Sequence, residues 1–316
     1  MIKTTYSDAI LSGFDYLLKN YPEVFVLGQG LWSPWYVGNT MKNLDKKYGK
    51  DRIIDTPVSE SACTGAAVGA SICGMKPIIV HPRMDFMLYA MDSIVNQAAK
   101  WSYMFGGKLN APVTIRSIIN RGGSQGAQHS QALHSWFAHV PGIRVVMPST
   151  VEDARDLLIS SVLCPDPVIY IDDRWLYEQT ANLKPIKETP LNSLTPKCLK
   201  EGDQITIVGS GYSTLLALNA SKKLNSDGVR AEVFDLRVLN PLNSENILDS
   251  VLKTKRLLVI DSGWKSCGMA SEVITSIVEN IPTNTLIDQP RRITLPDCPA
   301  PSSEVHERDY YPNEEK

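Results

Sequence analysis

The sequence predicts an α/β protein of two domains with mostly parallel sheets. Three observations lead there. Short apolar runs rich in β-branched residues alternate with helix-length amphipathic segments, the pattern of strands buried on both faces and joined by crossover helices. The alternation stops near residue 174 and resumes at Gly202. The length of 316 residues is twice the roughly 150 of an average domain.

Residues 7–19 read as the first helix, and residues 24–27, closed by Gly28, as the first strand. An Ala/Gly-rich helix over 61–73 ends at Gly74, followed by a strand over 77–80 and a helix over 85–100. Strands over 112–115, 143–146 and 168–171 follow, with a helix over 151–163 before the last. Residues 174–200 carry Pro185, Pro190 and Pro196. Proline removes donors and disfavours helix, so the expected division is a first domain over 1–180, a linker over 181–200 and a second domain over 201–316. The second domain begins with a strand over 204–208 and a helix over 213–224 capped by Ser213. Strands over 232–235, 257–260 and 285–287 continue it. The tail from Arg291, rich in proline and charge, is expected to run over the surface or dock on a partner.

Composition narrows the function. Lys plus Arg number 32 against 34 for Asp plus Glu, so the global positive field of a nucleic-acid binder is absent. With 43% hydrophobic and 21% charged residues the chain is an ordinary globular one. Asp8, Asp15 and Lys19 interrupt the apolar N-terminal segment, which excludes a signal peptide or membrane span there. A soluble, cytoplasmic protein is expected. The six cysteines form no CxxC pair and read as reduced thiols.

Chemistry concentrates at Asp55-Thr56-Pro57-Val58-Ser59-Glu60, just before the small-residue helix. Taken locally, Ser59 is an N-cap and Glu60 a first-turn carboxylate favoured by the helix dipole. The small residues allow another helix or a ligand to approach closely. Gly209-Ser210-Gly211-Tyr212-Ser213-Thr214 sits between a strand and a helix, but Thr214 replaces the third glycine of a dinucleotide fingerprint. A tight structural turn is the expectation there. His129, His134 and His139 recur at five-residue intervals; on a helix such residues lie about 140° apart, which argues against a metal cluster. His134 and His139 read as structural. His81, at the end of a strand, is open to either a structural or a substrate-facing role.

These motifs resemble the β subunits of thiamine-diphosphate-dependent 2-oxo acid dehydrogenases, the decarboxylating first components for pyruvate and branched-chain 2-oxo acids. The resemblance rests on DTPVSE and its helix, AMDSIVNQAAKWSYMFGG (90–107), GAQHSQ (126–131), PGIRVVMPSTVEDARDLL (141–158) and VFDLRVLNPLNSENILDSVLKTKRLLVID (233–261). It runs in order through nearly the whole chain. It implies a transketolase-like pyrimidine-binding domain followed by a transketolase C-terminal-type domain.

The resemblance also assigns roles. Glu60 matches the glutamate that shares a proton with N1′ of the cofactor's aminopyrimidine, the internal acid–base step of activation. Phe86 matches an aromatic packed on that ring, with Val58 and Gln29 also lining the cofactor site. His129 matches the histidine that orients the bound intermediate and serves acyl transfer to lipoamide. Relatives carry an acidic residue where this chain has Gln29, which keeps hydrogen-bonding capacity and loses the charge. A monovalent cation, potassium, is implied at Val113, Ser161, Val162, Cys164 and Asp166. No Gly-Asp-Gly occurs in the chain, so the Mg²⁺ that anchors the diphosphate is expected from an α subunit, in an α2β2 heterotetramer that takes a 2-oxo acid and works with a lipoyl acyltransferase. The alternative is a thiamine-dependent carboligase that delivers to a carbonyl or sugar acceptor without a lipoyl partner. A scaffold with no activity is disfavoured, because it needs neither Glu60 nor His129.

Overall fold

The computed structural model describes residues 3–314; residues 1, 2, 315 and 316 of the expected domains lie outside them. The chain opens with β1 (Thr4–Thr5) and α1 (Tyr6–Asn20). The Thr5 side chain caps α1, accepting from the Asp8 N–H at 3.1 Å, which satisfies one of the donors every helix start leaves open. Ile10, Phe14, Leu17 and Leu18 form its buried face, the spacing of a helix with one apolar stripe. Then come β2 (Val24–Gly28), α2 (Leu44–Tyr48), β3 (Ile53–Asp55), α3 (Glu60–Ile72), β4 (Lys76–His81), α4 (Met84–Met87) and α5 (Ala99–Met104). The unit continues through β5 (Thr114–Ile119), α6 (His134–Ala138), β6 (Arg144–Val146), α7 (Val151–Leu163) and β7 (Val168–Asp173). β8 (Thr180–Ala181) returns to pair with β1.

The second unit comprises β9 (Lys197–Lys200), β10 (Ile205–Gly209), α8 (Tyr212–Ser226), β11 (Ala231–Asp235), β12 (Val238–Asn240) and α9 (Glu245–Thr254). It ends with β13 (Leu257–Trp264), α10 (Met269–Val278), β14 (Arg291–Leu295) and α11 (Glu304–Tyr310). Its five-stranded sheet has the order β14-β13-β10-β11-β9, parallel except for β9.

The larger sheet has the order β12-β6-β7-β5-β4-β2-β3. Its six first-unit strands are parallel, and β12 crosses over from the second unit to pair antiparallel with β6. Every residue of β5 and β7 is buried, as in strands covered on both faces, and two of the charged residues among them, Arg116 and Asp172, are paired with each other. The chain steps outward from β2 to β3, then crosses back to β4 on the other side. Loops therefore diverge from the C-terminal ends of β2 and β4, and such a switch point is where open α/β sheets bind ligands.

The two units share one apolar cluster that runs from Leu27 and Ile115 to Val208, Phe234 and Met269. Polar contacts reinforce it: His134 Nε2 to Asp261 Oδ1 at 2.8 Å, Ser149 Oγ donating to Asp235 Oδ1 at 2.7 Å, and Arg237 Nη2 to Asp153 Oδ1 at 2.8 Å. Burial alone would raise the Asp261 pKa; His134 and two backbone N–H donors outweigh it and hold the carboxyl below its usual range.

Some elements differ from expectation. The helix expected over 85–100 is four pieces: α4, a 3₁₀ turn at Leu88–Ala90, a π-helical stretch at Asp92–Ala98 and the start of α5. No strand forms at 285–287; β14 takes the edge position instead. β9 lies inside the expected linker, because β11 has an open edge that an extended segment can satisfy. Neither Ser59 nor Ser213 caps a helix. Ser59 precedes α3 without a side-chain capping bond, and Ser213 lies inside α8, which starts after Gly211. The tail docks on its own chain: Tyr310 and Tyr311 are buried against Trp175 and Trp264.

Candidate active site

Glu60 opens α3, close to the C-terminal end of β3, and Gln29 follows the end of β2. Because β2 and β3 are neighbours, the two side chains meet: Gln29 Nε2 donates to Glu60 Oε1 at 3.0 Å. Among the described residues no hydrogen bond engages Glu60 Oε2. Asp55 secures the loop between them, its Oδ1 accepting from Gly30 N at 2.7 Å and Leu31 N at 3.3 Å. Gly30 has φ +68° and lies under the Tyr36 ring, whose Cδ1 stands 2.1 Å from where a Cβ would be. Only glycine lets the loop fold back this way.

His81 ends β4 behind Glu60, and its Nε2 is 3.1 Å from Thr64 Oγ1. It is 2% exposed. Burial pushes its pKa down to about 4, with the Glu60 charge opposing. The open question about His81 thus resolves toward a neutral imidazole packed under α3. The depressed folded-state value means that stability present above the unfolded value of about 6.5 is lost as pH falls toward 4. A gap of about 2.5 units at roughly 1.4 kcal/mol each makes this an effect on the order of 3–4 kcal/mol. His81→Gln keeps a partner for Thr64 and is expected to lose less stability than the parent between pH 7.5 and 5 in urea unfolding. Equal losses would remove His81 as the cause.

Phe86 lies on α4, half-buried, its ring edge-on to His129 with centroids 5.2 Å apart. The loop from β5 to α6 carries His129 and is tied down at several points. Glu307 of α11 accepts from Ser124 N at 3.0 and 3.1 Å through its two oxygens. Asp85 Oδ1 accepts from the backbone N and the side-chain Nε2 of Gln131, both at 3.0 Å. Arg83 Nη1 donates to the His129 carbonyl at 3.2 Å. Arg121 pairs with Asp173 and stands over the rings of Trp175, Tyr212 and Tyr311. A histidine on a loop held this firmly has a defined position, as catalytic geometry requires.

Sequence reasoning missed Arg83, Asn120 and Arg174, which follow β4, β5 and β7. The available signal was their position just past strand ends. Nothing in the sequence marked Glu307. Val58 is 78% exposed, as is much of the small-residue face of α3, including Ala62, Gly65, Ala66 and Gly69.

The residues named for a cation gather at the opposite end of the sheet, where α7 leads into β7. The Val113 carbonyl accepts from Val168 N at 3.0 Å and that of Ser161 from Cys164 N at 3.3 Å. Asp166 turns to Arg144 Nε at 2.7 Å. Among the described residues no group of three or more His, Cys, Asp or Glu side chains is arranged to hold a metal. The glycine turn after β10 is structural: a Cβ on Gly211 would stand 2.5 Å from Met147 Cε, and Asp235, pushed up to about 7 by burial and Asp153, is buried beneath Ser149.

Comparisons with known proteins agree with this architecture. Residues 3–179 match the transketolase pyrimidine-binding domain and residues 196–316 the transketolase C-terminal domain. The chain is 36% identical over 311 residues to the pyruvate dehydrogenase E1 component subunit beta-1, mitochondrial, of Arabidopsis thaliana, covering 96% of this chain and 84% of that one. It is 36% identical over 315 residues to the acetoin:2,6-dichlorophenolindophenol oxidoreductase subunit beta of Cupriavidus necator, covering 96% and 92%. A split-gene transketolase solved as an inactive beta4 tetramer shares the fold with a TM-score of 0.78 at 21% identity, covering 98% of this chain and 94% of that one. No helix among the described residues is long and apolar enough to cross a membrane.

Proposed function

On the premise that this chain belongs to the β-subunit family of thiamine-diphosphate-dependent 2-oxo acid dehydrogenases, we propose that it supplies the pyrimidine half of a cofactor site completed by an α subunit. The observation that supports the reading is two side-chain pairs on loops that follow strands of the larger sheet: Gln29 with Glu60 after β2 and β3, and Phe86 with His129 after β4 and β5. Thiamine diphosphate, when bound, supplies the electron sink that lets a 2-oxo acid lose CO₂.

The residues present fit that group. Glu60 has one oxygen held by Gln29 and the other available to a ring nitrogen, and Phe86, edge-on to His129, offers a half-buried aromatic ring. Gln29 donates where a second carboxylate would repel, so Glu60 keeps its orientation without competing for a proton. His129 stands ready to donate to or accept from the reacting oxygen. Exposed Val58 and the small face of α3 are suited to close packing by the α subunit, in an α2β2 assembly. Carbonyl ligation of a potassium ion beside Val113, Ser161, Val162 and Cys164 is part of the same proposal, with Asp166 turned instead to Arg144.

Transfer of the acyl group to a lipoyl acyltransferase is the expected outcome. The second reading, delivery to a carbonyl or sugar acceptor, draws on one observation: two arginines, Arg83 and Arg174, that converge on Asn120 at the edge of the site and form no salt bridge among the described residues. The test is co-expression with the α subunit, followed by CO₂ release from a panel of 2-oxo acids, with lipoamide or a carbonyl compound as acceptor. Thiamine-dependent CO₂ release with acyl-lipoamide formed supports the first reading; carboligation products support the second. A well-assembled complex without thiamine-dependent decarboxylation overturns both.

A further inference from the structure

Arg83 and Arg174 converge on Asn120 from either side. The Asn120 amide oxygen, oriented by its hydrogen bonds, accepts from Arg83 Nη1 at 3.1 Å and from Arg174 Nη1 at 3.2 Å. One neutral oxygen cannot balance two guanidinium charges. Two neighbouring carboxylates are paired elsewhere, Asp172 with Arg116 and Asp173 with Arg121, while Asp85 Oδ1 accepts from the two Gln131 donors and its buried Oδ2 takes no hydrogen bond from either arginine. Asp85 is close enough for its charge to favour the Arg83 cation, but burial and the adjacent Arg174 outweigh it and hold Arg83 below its ordinary pKa. Arg174 spends Nη2 on the Tyr36 carbonyl at 2.5 Å, and its Nε is buried without a partner. Two guanidinium forks in this state are a recognition device for a planar or tetrahedral anion.

We propose that Arg83 and Arg174, bridged by Asn120 beside His129, form an anion subsite for a phosphate or carboxylate group that the substrate or acceptor keeps throughout the reaction. The carboxylate lost as CO₂ is excluded by energetics. Its charge disappears during decarboxylation, so two cations on it would stabilise the ground state more than the transition state and slow the step. A persistent anion carries no such penalty and anchors the molecule beside the reacting centre. The lipoyl arm carries no anion. The subsite therefore matches an acceptor that bears phosphate, or a 2-oxo acid with a second, remote carboxylate. This inference rests on placing the reaction at Glu60 and His129.

The experiment reads binding rather than turnover, so its failure is separable from failure of the proposed activity. The full-length protein, alone and assembled with its α subunit, is titrated calorimetrically with inorganic phosphate and separately with glutarate at constant ionic strength. At least one anion is expected to bind, with affinity weakened roughly tenfold or more in Arg83→Gln/Arg174→Gln, since each fork contributes charge-assisted bonds. Binding of phosphate alone identifies a phosphorylated ligand, and binding of glutarate alone a dicarboxylic one; both support the subsite. Arg174→Gln serves if the double variant fails to fold, and Arg174→Lys is expected to bind between parent and Gln variant because it keeps charge and loses the fork. The proposal is overturned if neither anion binds, or if binding is unchanged in the Gln variants, whatever the enzyme turns over.

Discussion

Glu60→Gln is expected to lower thiamine-dependent turnover of the assembled complex by roughly 10²- to 10⁴-fold, the range that a positioned acid–base group supplies, while leaving the fold intact. The substitution is nearly isosteric. It keeps an oxygen to accept from Gln29 Nε2, so the pair that now stands at 3.0 Å survives. It removes the one property the site needs from this position, a proton that can be gained and lost. Glu60 is half-buried at the start of α3, and a neutral amide there strands no buried charge. The measurements are initial rates with saturating thiamine diphosphate, and urea midpoints of parent and variant. Near-normal turnover with an unchanged midpoint would falsify the assignment of Glu60.

The largest effect on stability is expected at Arg116, in the middle of β5. Its side chain is fully buried and paired with an equally buried Asp172. The two form a fork: Arg116 Nε to Asp172 Oδ1 at 2.9 Å and Nη2 to Oδ2 at 2.8 Å, with Nη1 donating to Thr40 Oγ1 at 2.8 Å. Burial by itself would lower the arginine pKa; Asp172 reverses this and holds it above the ordinary value. Arg116→Met leaves Asp172 in the core with the Tyr177 hydroxyl as its remaining side-chain donor, and removing one member of a buried pair costs about 3–5 kcal/mol. The double variant Arg116→Met/Asp172→Leu is expected to recover much of that, because the uncompensated charge is gone. Urea unfolding of the three proteins checks the sequence of effects. A single variant that costs less than about 1 kcal/mol would show that the pair is not held as described.

The legible part of the site is the part carried by motifs. Local chemistry reads Asp55 through Glu60 as a strand end joined to the start of an Ala/Gly helix, and the family resemblance, through DTPVSE and GAQHSQ, is what marks Glu60 and His129 as catalytic candidates. Gln29 was visible as a departure; its hydrogen bond to Glu60 was not, because it depends on β2 and β3 being neighbours. Arg83 and Arg174 had no local mark. Each is an ordinary arginine after a strand, and only the sheet order brings them together over Asn120. The tail misled for a similar reason. Its prolines and charges describe a surface segment, whereas Tyr310 and Tyr311 find their partners in Trp175 and Trp264 across the fold.

By itself the sequence determined the class of fold and the placing of most helices and strands of the larger sheet, and it supplied the motifs on which half of a cofactor site is proposed. Periodicity, capping and turn residues act between neighbours along the chain, where sequence is already geometry. The tertiary structure alone decided the partners: Arg116 with Asp172, His134 with Asp261, and Glu307 reaching Ser124 across 183 residues of sequence. Such contacts exist only after burial has removed water as the competing partner. The chain order of the residues then matters less than which strand ends share a crevice.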